Sequence, residues 1–192
     1  MAGPLGKGRF GVTLEGAVQR ASSLDLRIRN QVDDLLLKRP YEVVSDIRAY
    51  LIRRADEMSV GNNPWKLLKF REDVGGFWLI ALGPSIDKGD TADHFHFDSG
   101  ARLSFVIVLR EHDNSARLIT FRYQYQLPDG ASPSFLRFDL NQATHENPLT
   151  EPLCHLHPGL EDVRLPLSLH APIEILDRIF FVVDKNIAPG AP

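Results

Sequence analysis

Five side chains suited to acid–base or ligand chemistry fall within about twenty residues of one another: Arg137, Asp139, His145, His155 and His157. They belong to one stretch, Phe135 to Val163, and a second stretch, His94-Phe95-His96-Phe97-Asp98, repeats the His-x-His device earlier in the chain. In a strand, residues two apart share a face, so His94, His96 and Asp98 project from one side and Phe95 and Phe97 from the other. Two imidazoles and a carboxylate on one face suit iron, zinc or manganese, with positions left for water or substrate. A transition metal is therefore a candidate cofactor. Polar residues on a solvent-facing strand would give the same pattern.

His155 and His157 form the second pair, with Leu156 turned to the opposite face and Pro158-Gly159 ending the segment. If this strand lies beside residues 134–141, both imidazoles join Arg137 and Asp139 on one polar face. An imidazole that titrates near neutrality suits general acid and base work, an arginine fork holds phosphate, and a carboxylate orients an imidazole. These are the parts of a metal-independent ribonuclease. They are equally the parts of a hydrogen-bond network that pins a long loop. His145 stands in the loop Gln142 to Pro148, where Asn147-Pro148 starts a turn and leaves the imidazole exposed, a setting common for functional residues. Cys154 alternates with His155 and so points to the core as a small apolar residue, which argues against a thiol nucleophile. Arg164 is expected to pair on the surface with Glu161 or Asp162.

The elements that must position these groups follow from periodicity. Val18, Leu26, Val32, Leu35 and Leu36 can share one helix face, and Lys38-Arg39-Pro40 supplies a basic last turn and a stop. A second helix runs from about Tyr41 to Met58, with Val44, Ile47, Leu51 and Ile52 as its apolar stripe. After the turn signal Gly61 to Pro64 the period becomes strand-like. Residues 66–71 and 77–82 form a hairpin, 84–91 a loop, and 94–98, 101–110, 117–127 and 134–141 an antiparallel meander. In 117–127, Ile119, Phe121, Tyr123, Tyr125 and Leu127 share one face, and Thr120, Arg122, Gln124 and Gln126 the other. A last helix opens at Pro172 and packs through Ile173, Leu176, Phe180 and Val183. The expected fold is α+β: two N-terminal helices, an antiparallel sheet of about six strands, and a C-terminal helix on its apolar face.

The totals bound what such a chain does. At 192 residues it is expected to form a single domain, with residues 1–12 and 186–192 flexible. Apolar residues make up 43 % and charged residues 24 %, an ordinary globular balance rather than that of a disordered chain. A net charge of −3 gives no global basic field, so binding to nucleic acid would need a local patch. One cysteine permits no internal disulfide, and no apolar run reaches the length of a secretory signal or of a membrane span. The expected setting is the cytoplasm, with no membrane partner.

The order Leu136-Arg137-Phe138-Asp139, a loop His145, His155-Leu156-His157, Arg164-Leu165-Pro166 and the helix from Pro172 resembles small uncharacterised bacterial proteins of mobile-element, toxin–antitoxin and defence islands. The resemblance covers roughly residues 117–182. It implies a toxin-like or defence-associated protein acting on RNA, with Arg137, Asp139, His145, His155 and His157 as the positions carried over. The leading expectation is accordingly a metal-independent ribonuclease in which His155 or His157 is base and acid, Arg137 stabilises charge and Asp139 orients an imidazole. Two alternatives stand beside it. One is a transition-metal enzyme built on His94, His96 and Asp98, and the other is a non-enzymatic subunit that docks on a cognate protein partner.

Overall fold

Two long runs of alternating residues make the centre of the fold. They are joined by a two-residue turn at Asp113-Asn114, where Asp113 takes the positive φ of 52° that such tight hairpins use. The computed structural model describes residues 27–28, 31, 35–58, 68–83, 94–141 and 152–183. In chain order its elements are β1 (Leu36–Leu37), α1 (Pro40–Met58), β2 (Leu68–Asp73), β3 (Phe77–Leu82), β4 (Phe95–His96), β5 (Arg102–His112), β6 (Ser115–Gln126), β7 (Phe135–Leu140), β8 (Cys154–His157), β9 (Leu165–Pro166) and α2 (Pro172–Asp177). The chain leaves α2 through a wider π-helical turn, Arg178–Val183. The architecture is α+β, with every strand pair antiparallel.

The sheet has nine strands in the order β2-β3-β5-β6-β7-β8-β9, with β1 paired to β6 and β4 to β5. This corrects the expected count of about six. The additions are β1, β8 and β9, and the expected strand 94–98 contracts to Phe95–His96.

The expected pair of N-terminal helices is corrected as well. Leu36 and Leu37 lie in register with Arg117 and Ala116, so no helix runs on to Lys38-Arg39-Pro40. The cause is the length of β6. β7 pairs only with Phe121 to Gln126, and β1 covers backbone groups that the shorter neighbour leaves open. Arg27, Ile28 and Gln31 have helical backbone, and the rest of that expected helix lies outside the described residues. So do the segments expected to be flexible at 1–12 and 186–192, and the loop 84–91.

The core lies between one face of the sheet and the helices. α1 opens at Pro40, and the Glu42 carboxylate accepts the Arg39 backbone N–H at 3.0 Å, closing its first turn. It buries Val43, Val44, Ile47, Tyr50 and Leu51, a stripe at three- and four-residue spacing, and leaves Ile52 exposed, against expectation. The sheet contributes Leu103, Phe105, Ile107, Tyr123, Tyr125 and Phe138 to the same core. The register shift between Val108 and Leu109 breaks the alternation of β6 at Ile119. Leu118 and Ala116 are buried instead, as a bulge requires.

α2 and its π-helical continuation seal the core. Tyr123 donates to the Pro172 carbonyl at 3.1 Å, tying α2 to the sheet, and Tyr50 donates to Asp177 Oδ1 at 2.7 Å, tying α1 to α2. Phe180 is fully buried, and its ring centroid lies 5.0 Å from Phe95, 4.9 Å from Phe97 and 5.7 Å from Tyr50. Among the described residues no helix is long and apolar enough to cross a membrane. Phe180→Ala removes the ring shared by α1, β4 and the C-terminal helix, and should cost about 3–5 kcal/mol. Urea unfolding would show this as a midpoint shift with little change in slope; a loss below about 1 kcal/mol would mean that the helix is not the closure of the core.

Candidate functional site

The register of two short strands assembles the site. β7 and β8 pair with Arg137 opposite His157 and Asp139 opposite His155, so all four side chains fall on the sheet face away from the helices. The apolar partners alternate with them: Leu136, Phe138 and Leu140 in β7 and Cys154 in β8 are buried on the core side. The conditional expectation that both imidazoles would join Arg137 and Asp139 therefore describes the fold. Asp139, His155 and His157 are 5 %, 2 % and 1 % exposed, which separates them from an ordinary wet polar face.

Backbone carbonyls orient both rings. His155 Nδ1 lies 2.6 Å from the Pro152 oxygen and His157 Nδ1 lies 3.3 Å from the Leu160 oxygen. A carbonyl oxygen only accepts, so each Nδ1 carries the proton and each Nε2 of a neutral ring presents a lone pair. The two Nε2 atoms are 3.1 Å apart, and Asp139 Oδ2 lies 3.4 Å from that of His157 and 3.8 Å from that of His155. Three electron-rich atoms thus converge on one small volume. Without a metal ion, a hydrogen bond between the two Nε2 atoms needs an extra proton on one ring. Burial opposes that proton at His155, holding its pKa below the usual histidine range against the raising effects of the Pro152 carbonyl and Asp139.

The Leu160 carbonyl is held in place by a turn that only glycine allows. Gly159 has a φ of +81°, and a side chain there would collide with the Pro133 ring. Around the cluster the charges are matched. Arg137 Nε donates to Asp139 Oδ2 at 2.8 Å, Arg122 Nε to Oδ1 at 3.2 Å, and Arg137 Nη1 to Glu161 Oε1 at 2.7 Å. Burial works against the Arg137 charge, but the bonds to Glu161 and Asp139 outweigh it and raise the pKa, while Arg137 lowers that of Glu161.

Asp139 also forms one wall of a cavity of about 330 Å³, lined in addition by Val106, Thr120, Arg122, Leu140 and Asn141. Thr120 is anchored there by donating its hydroxyl to the Leu140 carbonyl. Comparison with protein-family models, curated proteins and solved structures finds no match to this chain. The chemistry of the site therefore has to be read from its own geometry.

The other expected groups lie elsewhere. His94, His96 and Asp98 do turn away from the buried Phe95 and Phe97, but among the described residues the ligand atoms that gather within 4.8 Å are those of Asp139, His155 and His157. A two-residue strand followed at once by a turn leaves Asp98 exposed, so these three groups are not gathered as Asp139, His155 and His157 are. His96 pairs with Arg102 and shares a sheet face with His155, but four strand spacings of about 4.8 Å put them on the order of 19 Å apart. His145 lies outside the described residues. Cys154 is buried, its thiol pushed up to about 12 by that burial, which keeps it protonated.

Arg122 and Glu161 were not singled out in the sequence. Alternation of Arg122 with Phe121 and Tyr123 puts it on the polar face, and Glu161, expected along with Asp162 only as a surface partner for Arg164, pairs with Arg137.

A folded-state pKa below the unfolded value of 6.5 means that the native protein binds fewer protons than the unfolded chain just below that pH. Stability carried by neutral His155 is therefore full above pH 6.5 and lost as pH falls through the lowered value. In EDTA, the urea midpoint should decline between pH 7.5 and 5, and less steeply for His155→Gln. Equal slopes in the two proteins would show that His155 is not held neutral.

Proposed function

We propose that Asp139, His155 and His157 hold a transition-metal ion and that the protein is a metal-dependent enzyme. One observation carries this reading: both Nδ1 atoms are committed to backbone carbonyls, so both Nε2 lone pairs and a carboxylate oxygen point at the same place. A metal-bound histidine habitually donates its other ring N–H in this way. Bond lengths of about 2.0–2.1 Å place neighbouring ligand atoms roughly 3.0–3.4 Å apart. Two of the three separations, 3.1 and 3.4 Å, already have that size, and the third, 3.8 Å, closes with a small rotation of the carboxylate. Two imidazoles and one carboxylate suit iron(II), zinc or manganese and leave positions open, where the ion would acidify water or bind a substrate oxygen.

The metal-independent ribonuclease is served less well. A general acid and base must touch the substrate, and the two imidazoles are 2 % and 1 % exposed. Placement among toxin–antitoxin or defence proteins, with RNA or a cognate protein as partner, is proposed on motif order alone and is compatible with a metal centre. The experiment is elemental analysis of protein purified without an affinity metal column. About one equivalent of iron, zinc or manganese is expected in the parent and in His94→Ala/His96→Ala, and less than a tenth of that in His155→Ala/His157→Ala. Parent protein that neither carries such an ion nor takes one up on dialysis would overturn the assignment.

A further inference from the structure

The cavity beside the cluster indicates the kind of molecule the site would take. Its floor is the polar face of β5, β6 and β7, with Val106 on one side, Arg122 in the middle, and Asp139 and Asn141 on the other. At about 330 Å³ it stands at the small end of ligand cavities, which run from about 300 to 1,000 Å³. That volume suits a compact molecule.

Charge decides what the molecule carries. The Asp139 carboxylate is matched twice, by Arg137 Nε and by Arg122 Nε, and Arg137 is matched again by Glu161. Arg122 spends only its Nε on Asp139, and its side chain is 41 % exposed at the cavity. Its terminal nitrogens form a planar fork, the group best suited to two-point binding of a carboxylate or phosphate. Asp139 is common to the cavity wall and to the cluster: Arg122 holds its Oδ1 on the cavity side and the two imidazoles stand at its Oδ2, so a molecule held on Arg122 is one carboxylate away from the cluster.

We infer that the cavity binds a small oxyanion-bearing substrate, a carboxylate or phosphate ester, whose anionic group pairs with Arg122 beside the carboxylate that the cavity shares with the cluster. This rests on the metal reading above, but the test separates the two. Inorganic phosphate and acetate are titrated by calorimetry or amide NMR into the full chain, both EDTA-treated and metal-loaded, so that binding to the ion itself is distinguished from binding to Arg122. The EDTA-treated parent should bind at least one of the two anions saturably at millimolar concentration. Arg122→Gln should weaken this at least tenfold, and Arg122→Lys, which keeps the charge but not the fork, should fall between. Thermal unfolding checks that each variant is folded, and Arg122→Lys alone decides if the glutamine variant is not.

Parent-like anion binding in the folded variants, or no binding of either anion to the parent, would overturn the inference. Tighter binding of a single-stranded RNA oligonucleotide that is lost with Arg122 would overturn it too, by making the face a nucleic-acid contact. If His155→Ala/His157→Ala keeps its metal while Arg122→Gln loses the anion, the metal reading fails and the cavity stands.

Discussion

A carboxylate that is 5 % exposed cannot stand alone, and much of the polar face is arranged around Asp139 for that reason. An isolated buried charge is costly enough that proteins either neutralise it or surround it with donors and cations. Here β6 sends Arg122 to one oxygen and β7 sends Arg137 to the other, and the two imidazoles of β8 close the remaining side. Each contributor sits on the same strand or on one next to it, so the sheet's register alone puts the compensating groups within reach. Shifting β8 by a single residue would send Leu156 to the carboxylate and both imidazoles into the apolar core.

Much of this was legible in the sequence because strand alternation is a strong signal. Arg137 and Asp139 oppose Leu136 and Phe138, His155 and His157 oppose Leu156, and alternation leaves open whether the two strands are neighbours and whether the groups serve chemistry or a structural network. What was not legible depends on backbone. The carbonyls of Pro152 and Leu160 select the tautomer of each ring, and no residue type announces a carbonyl's direction. The bulge at Val108/Leu109 shifts Ile119 out of the core register and brings in Leu118, although the local pattern is equally consistent with unbroken alternation. Leu36 and Leu37 illustrate a tertiary override. Their spacing suits a helix, but open backbone groups on the longer β6 recruit them as a strand.

The contrast between the two His-x-His stretches has a related cause. His94-x-His96-x-Asp98 and His155-x-His157 look alike as strings, and both turn their polar residues away from apolar neighbours that pack on the core. They differ in depth within the sheet. β4 is a two-residue strand beside β5, followed directly by a turn, whereas β8 lies between β7 and β9 and beneath the turn through Gly159. Burial, and with it the loss of water as a competing ligand, separates a ligand-like pair from a solvated one.

The two ends of the sheet carry a consequence of their own. A sheet edge offers unpaired backbone groups to any extended chain it meets, and proteins commonly guard against this. At one end β2 presents Lys69, Arg71, Glu72 and Asp73 within a single six-residue strand. At the other, half of β9 is Pro166, which has no N–H to offer, and it stands directly opposite His155. Both borders are thus poor templates for an added strand. Among the described residues, the strand that carries the two imidazoles is shielded from an intruding chain by its own proline-bearing neighbour.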